Sequence, residues 1–157
     1  MFPFFAVKLD VMSESLSKMF EERALSFLPF QPTEGQSRLL HVFGRFAATA
    51  KPRCALLVKG YAGTGKTTTV QAMVQAVESY GLNVVLLAPT GRAAKVLANY
   101  TGKPATTIHR QIYFKRSDRS GKIWFELKEN KSEDTIFIVD EASMIGSDPM
   151  NFKFDDL

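Results

Sequence analysis

The chain has 157 residues, 45% of them apolar, and carries 20 Lys and Arg against 16 Asp and Glu for a net charge of +4. That is enough for one globular core and not two, and the mild basicity is compatible with a nucleic-acid partner without requiring one. With Cys54 the only cysteine, a disulfide within the chain and a Cys/His zinc site are both excluded.

A single cysteine suits a reducing compartment. The apolar start at Met1–Val7 has no positive leader and is broken by Lys8 and Asp10, so it does not read as a signal peptide. No run approaches the roughly 20 apolar residues that cross a bilayer. The expectation is a cytoplasmic protein with no membrane partner.

Residues 13–28 predict an amphipathic helix, with Leu16, Met19, Phe20, Ala24 and Phe27 at helical spacing and Pro29 as the stop. A second helix is expected over 33–48, its apolar face made by Leu39, Leu40, Phe43 and Phe46. After the break at Lys51-Pro52-Arg53, Cys54-Ala55-Leu56-Leu57-Val58 reads as a strand buried on both faces. A glycine-rich loop covers residues 60–67, and Thr68 to Tyr80 has helical periodicity ending at Gly81. Val84–Leu87 is the next expected strand, residues 91–99 the next helix, and a short helical turn is expected near 107–112.

Residues 113–128 read as a β-hairpin, with a polar turn between two aromatic-rich arms. A charged loop follows over 130–134, then a third buried strand at 135–139 that runs into Asp140-Glu141. Strands alternating with helices predict an α/β fold with a mainly parallel sheet flanked by helices, interrupted by a small hairpin insert. The expected organisation is an N-terminal helical extension over residues 1–29, then one domain over 30–157 that includes the 113–128 insert.

Gly60-Tyr61-Ala62-Gly63-Thr64-Gly65-Lys66-Thr67 satisfies G-x-x-x-x-G-K-[ST], between an expected strand and an expected helix. Glycines let backbone N–H groups wrap inward around phosphate oxygens. The helix opening at Thr68 adds the positive end of its dipole. Lys66 supplies a cation for the β- and γ-phosphates of ATP, and the Thr67 hydroxyl a ligand for the accompanying Mg²⁺. The plain alternative, a glycine turn with no ligand, does not account for the lysine and threonine at their required places.

Asp140 and Glu141 follow a strand, and in open α/β sheets ligands sit beyond the carboxyl ends of strands. Asp140 is therefore expected to hold Mg²⁺, and Glu141 to orient and deprotonate the attacking water. An acidic loop with no ligand is the bland reading. A hydrolase needs such a glutamate, whereas a nucleotide kinase does not.

In this order the motifs resemble the first motor domain of superfamily 1 helicases of the RecD and Dda type, a P-loop NTPase (RecA-like) fold. Thr33-Glu34-Gly35-Gln36 resembles that family's glutamine motif, and residues 60–67 its phosphate loop. Ala88-Pro89-Thr90-Gly91-Arg92-Ala93-Ala94-Lys95 and Thr106-Thr107-Ile108-His109-Arg110 resemble two DNA-contact motifs, and Asp140-Glu141-Ala142-Ser143-Met144 the magnesium motif. The resemblance implies that Gln36 reads the adenine edge, although Thr33-x-x-Gln36 is also a capping box. It implies a nucleotide site at Gln36, Gly60, Ala62, Gly63, Thr64, Gly65, Lys66, Thr67 and Thr68, with metal ligands Thr67 and Asp140.

The same resemblance implies contacts from Thr90, Arg92, Lys95 and Thr107 to the backbone of single-stranded DNA, where position matters and sequence does not. His109 touches DNA or couples that site to ATP, or is structural. In the insert, Phe114 and Trp124 among Lys115, Arg116, Arg119 and Lys122 are expected to stack on bases at a DNA fork, or else to bury against the domain.

Family motors carry a second RecA-like domain, and the Gly-Asp…Gln motif expected soon after Met144 is not in these residues. The expectation is a motor fragment that does not unwind DNA alone, with 5′ to 3′ polarity implied by the family. Strand edges left without a central strand would favour self-association. Two other classes remain at this point: a different P-loop enzyme such as a small-molecule kinase, and a non-catalytic nucleic-acid-binding module.

Overall fold

The structure, a computed structural model, describes residues 11–49, 54–61 and 63–145. The chain divides into two compact units, Met1–Gly81 and Leu82–Leu157. Ala62, the Lys51–Arg53 break and the final Asp155-Asp156-Leu157 lie outside the described residues.

Among its described residues the regular elements of the first unit are all helices. It contains α1 (Val11–Ser26), α2 (Glu34–Ala47) and α3 (Lys66–Ser79). Phe20 and Ala24 from α1, Leu40 and Phe43 from α2, and Met73, Val74 and Val77 from α3 are buried. Each of these rows follows the 3.6-residue period that gives an amphipathic helix its single apolar stripe.

Helices α1 and α2 cross closely at Gly44, where an added Cβ would meet the backbone carbonyl oxygen of Ser17. The Tyr80 ring stands edge-on to Phe20 at 4.8 Å, and its hydroxyl donates to the Met19 carbonyl at 3.1 Å. These contacts tie the end of α3 to α1. The capping box expected at Thr33 and Gln36 starts α2.

The strand expected over residues 54–58 does not form. The segment belongs to no ladder, and Leu57 is 71% exposed. Its apolar composition is that of a strand, but a strand exists only where its N–H and C=O groups meet a neighbour's. Among its described residues the first unit contains no other strand to meet them.

The second unit is built on a parallel three-stranded sheet in the order β2 (Ala105–Thr107), β1 (Asn83–Ala88), β5 (Thr135–Val139). Leu86 is in register with Ala105 on one side and with Ile138 on the other. Helix α4 (Gly91–Thr101) crosses between β1 and β2 and packs on both. Leu86, Leu87 and Ala88 from β1 and Ala94 and Leu97 from α4 form the core.

Strand β2 was not expected from the sequence, since three residues without an apolar side chain larger than alanine carry no periodicity. Strand β5 was expected to be buried on both faces and is not: Phe137 and Val139 are each 38% exposed. It lies at the edge of the described sheet, so only β1 covers its flank.

The hairpin forms as expected, with β3 (Tyr113–Ser117) antiparallel to β4 (Ile123–Leu127). Asp118 Oδ1 accepts from the backbone N–H groups of Ser120 and Lys122 and from the Ser120 hydroxyl, and Gly121 takes the left-handed φ of +84° that closes the turn. Among the described residues no helix is long and apolar enough to cross a membrane.

Candidate functional site

In the first unit the phosphate loop leads into α3. Gly63 and Gly65 have φ of +78° and +77°, backbone that residues with a Cβ adopt at a cost. Gly65 is the N-cap of α3, and its carbonyl accepts from both the N–H and the hydroxyl of Thr69. Helix α3 begins at Lys66, two residues earlier than the periodicity indicates, so Lys66, Thr67 and Thr68 occupy its first turn. Their backbone N–H groups are among those that a helix cannot satisfy internally.

Lys66 closes the loop on itself. Its Nζ donates to the carbonyls of Gly60 at 2.7 Å and Tyr61 at 2.6 Å. The Thr64 hydroxyl donates to the same Tyr61 carbonyl at 2.9 Å. Thr67 is exposed and Thr68 half-buried.

Gln36, buried at the start of α2, packs against this loop. Its Oε1 accepts from the Thr33 N–H at 2.9 Å, and its Nε2 lies 2.5 Å from where a Cβ on Gly65 would stand. Capping and contact with the loop thus use the two ends of one amide. A cavity of about 570 Å³ is lined by Gln36, Leu39, Val42, Gly60, Tyr61 and Lys66 among others. This donor set fits a nucleotide: an apolar wall, an amide, a lysine and a helix start where anions bind.

In the second unit the carboxylates stand at the end of β5. The Asp140 N–H donates to the Leu87 carbonyl at 3.0 Å, extending the β1–β5 ladder by one residue. Both carboxylate oxygens of Asp140 are engaged. Oδ1 accepts from the Glu141 N–H at 2.9 Å, and Oδ2 accepts from the Tyr100 hydroxyl at 2.7 Å.

Burial of the Tyr100 phenol, then its hydrogen bond to Asp140 and the nearby negative charge, hold its pKa well above the ordinary tyrosine value. It therefore stays a donor at every physiological pH. Tyr100 was not singled out in the sequence. A tyrosine late in a helix has no motif to mark it, and only the path of α4 over the sheet brings it to Asp140.

Glu141 is exposed and adopts φ 54°, ψ 33°, left-handed backbone that is uncommon outside glycine and is found at functional sites where surroundings enforce it. Among the described residues no group of three or more His, Cys, Asp and Glu could hold a metal ion by itself. The chemistry of Asp140 fits a hard cation that brings its own oxygen ligands, as Mg²⁺ does with phosphates and water.

Two of the DNA-contact candidates, Thr90 and Thr107, fall at the same edge of this sheet as Asp140. Thr90 follows β1 and caps α4, its hydroxyl accepting from the Ala93 N–H. Thr107 ends β2 and caps α5 (Ile108–Ile112), accepting from the Arg110 N–H. The register pairs Ala88 with Thr107, so two motifs distant in sequence lie side by side. Arg92 and Lys95 are exposed on α4. His109 is half-buried, its ring 6.0 Å from that of Tyr113.

On the hairpin, strand alternation puts Phe114, Arg116, Trp124 and Glu126 on one face. Phe114 and Trp124 are 46% and 45% exposed, so neither is buried against the domain. Arg116 and Lys128 lie over the Phe114 ring at 5.0 and 4.9 Å, and Arg116 also pairs with Glu126 at 2.9 Å.

A parallel sheet flanked by helices, with a glycine-rich loop opening a helix at Lys66 and a carboxylate pair ending a strand, defines the class of P-loop nucleotide-binding domains. The family described as AAA domain matches residues 34–154, and the chain belongs to that family. It is 40% identical over 94 residues to the ATP-dependent RecD2 DNA helicase of Deinococcus radiodurans, covering 58% of this chain and 12% of that protein. It is 32% identical over 115 residues to the ATP-dependent DNA helicase dda of Enterobacteria phage T4, covering 71% of this chain and 26% of that one. The multifunctional conjugation protein TraI of Escherichia coli is 35% identical over 99 residues, 60% of this chain and 5% of its own length. The chain thus spans about a quarter or less of the curated relatives it matches, and the resemblance to RecD- and Dda-type proteins agrees with them.

Proposed function

We propose that this chain is the nucleotide-binding part of an ATP-driven DNA motor of the RecD/Dda type. Lys66 and the backbone of Gly63 to Thr68 hold the phosphates of ATP, and Gln36 meets the adenine. Thr67 and Asp140 are the residues that would hold Mg²⁺, and Glu141 would activate the water that attacks the γ-phosphate. Mg²⁺ screens the triphosphate charge when bound, while Lys66 supplies fixed positive charge and Glu141 takes the proton.

Single-stranded DNA is the partner, held by Thr90, Arg92, Lys95, Thr107 and His109, with Phe114 and Trp124 stacking on bases at a fork. A second RecA-like domain completes the motor, which works in the cytoplasm and moves 5′ to 3′. The exposed Leu57 and the open flank of β5 favour self-association of these residues when that domain is missing.

The observation that carries the reading is the shared sheet edge. The helix starts at Thr90 and Thr107 and the carboxylate of Asp140 lie on one rim, where α/β proteins place ligands. The test is ATP turnover with and without single-stranded DNA in the protein that carries this chain together with its second motor domain. Stimulation by DNA that disappears in Glu141→Gln, with ATP binding retained, is the expected result. Turnover indifferent to DNA but dependent on a small-molecule phosphate acceptor would overturn it in favour of a kinase.

A further inference from the structure

The Asp140 carboxylate has two supports, and only one belongs to its own strand end. The Glu141 N–H holds Oδ1 and would do so in any chain with this turn. The support at Oδ2 comes from Tyr100, forty positions away on α4. That helix is itself well anchored. Leu97 and Thr101, on either side of Tyr100 in its last turns, are buried. The Thr101 hydroxyl donates to the Leu97 carbonyl at 2.7 Å. Gly102 ends the helix with φ +68° and its N–H on the Ala98 carbonyl.

The sheet fixes the other partner, since Asp140 continues the ladder through Leu87. The 2.7 Å bond therefore joins two fixed backbones and leaves the carboxylate little rotational freedom. Each oxygen accepts one hydrogen bond and keeps a further lone-pair direction for a metal-bound water.

We propose that Tyr100 is a positioning residue that sets the rotamer of the Asp140 carboxylate for Mg²⁺. The inference rests on the reading of Asp140 as a magnesium carboxylate. Tyr100 touches neither nucleotide nor metal; it acts through Asp140. A metal ligand whose outer partner is removed loses affinity by about 10–100-fold, and a hydroxyl-only deletion is the cleanest removal. The competing role is a lock, in which Tyr100 occupies Asp140 and must leave before metal binds. The two roles have opposite signs.

The test is Tyr100→Phe in the 157-residue chain, read by Mn²⁺ binding in the presence of ATP by electron paramagnetic resonance. ATP affinity in EDTA and the melting temperature are measured alongside. The expected result is a loss of metal affinity of about tenfold or more, with metal-free ATP affinity unchanged. Unchanged or tighter metal binding in the variant overturns the proposal. Wild-type protein and Asp140→Asn separate the failures. If wild type binds no more metal than Asp140→Asn, the magnesium reading of Asp140 is wrong and the proposal falls with it. If wild type binds and Tyr100→Phe matches it, only the Tyr100 role is wrong.

Should Tyr100→Phe fail to fold, wild type labelled with ¹³Cζ-tyrosine decides. The Tyr100 resonance then retains its hydrogen-bonded shift when Mn²⁺ is replaced by Mg²⁺ and nucleotide is added. A shift to that of a solvent-exposed phenol on metal binding shows that the bond is released, and overturns the proposal.

Discussion

The Gln36 amide nitrogen sits 2.5 Å from the position a Cβ would take on Gly65, so the glutamine that caps α2 also packs on the residue that caps α3. Gly65 is required twice, by its φ of +77° and by this contact, whereas Gly63 at φ +78° has, among the described residues beyond its chain neighbours, no atom within 4 Å of its missing Cβ. Gly63→Ala is therefore expected to cost about 1–2 kcal/mol for left-handed backbone alone. Gly65→Ala adds displacement of Gln36 and should melt lower still. Thermal denaturation of the two variants side by side checks the order; equal melting temperatures would show that Gln36 yields without cost.

Lys66 holds two loop carbonyls at 2.7 and 2.6 Å, and in the proposed role it exchanges them for phosphate oxygens when ATP binds. Lys66→Met is expected to abolish binding of a fluorescent ATP analogue while leaving circular dichroism unchanged. Retained ATP affinity would mean that the lysine serves loop structure and not the ligand.

Gly44 of α2 faces α1, with the Ser17 carbonyl in the way of any Cβ. Gly44→Ala should destabilise by about 1–3 kcal/mol, the usual cost of overpacking. Urea denaturation measures this, and an unchanged midpoint would contradict the close crossing.

The exposed hairpin face offers a separable assay. Trp124→Ala is expected to weaken single-stranded DNA binding by about 1–3 kcal/mol, the stacking contribution of one base, with ATP affinity untouched. Arg92→Ala and Lys95→Ala should instead lower affinity on every sequence and flatten the salt dependence by about one phosphate each. Fluorescence anisotropy over a salt series distinguishes stacking from charge.

The Asp118 carboxylate is held below the usual carboxylate range, first by the Ser120 hydroxyl and then by backbone N–H groups of the turn. A depressed folded pKa means that the turn gains stability above the unfolded pKa and loses it as pH falls through the folded one. Amide protection factors across β3 and β4, corrected for the base-catalysed intrinsic exchange rate, should hold at neutral pH and fall in acid. Asp118→Asn should remove most of that pH dependence, and an unaltered profile would contradict the role of the carboxylate.

Periodicity and apolar runs made most elements readable. Helices α1 to α4, strands β1 and β5 and the hairpin each carry a local pattern strong enough to survive without tertiary information. What escaped is what depends on neighbours. Residues 54–58 have strand composition but no ladder, β2 has a ladder but no composition, and β5 is more exposed than its apolar run suggests because, among the described residues, β1 alone flanks it. At the site, Lys66, Asp140 and the Thr33–Gln36 cap were legible because spacing encodes them. The Gln36–Gly65 contact and the Tyr100–Asp140 bond were not, since both join segments whose meeting is decided by how helices pack.

The most direct test of the proposed roles, Lys66 for ATP and Asp140 for Mg²⁺, is ATP affinity titrated against Mg²⁺ in wild type, Lys66→Met and Asp140→Asn. Wild type should bind more tightly as Mg²⁺ rises, Asp140→Asn should bind ATP with that magnesium dependence largely lost, and Lys66→Met should bind at neither concentration extreme. An Asp140→Asn protein with the full wild-type magnesium response would contradict the account.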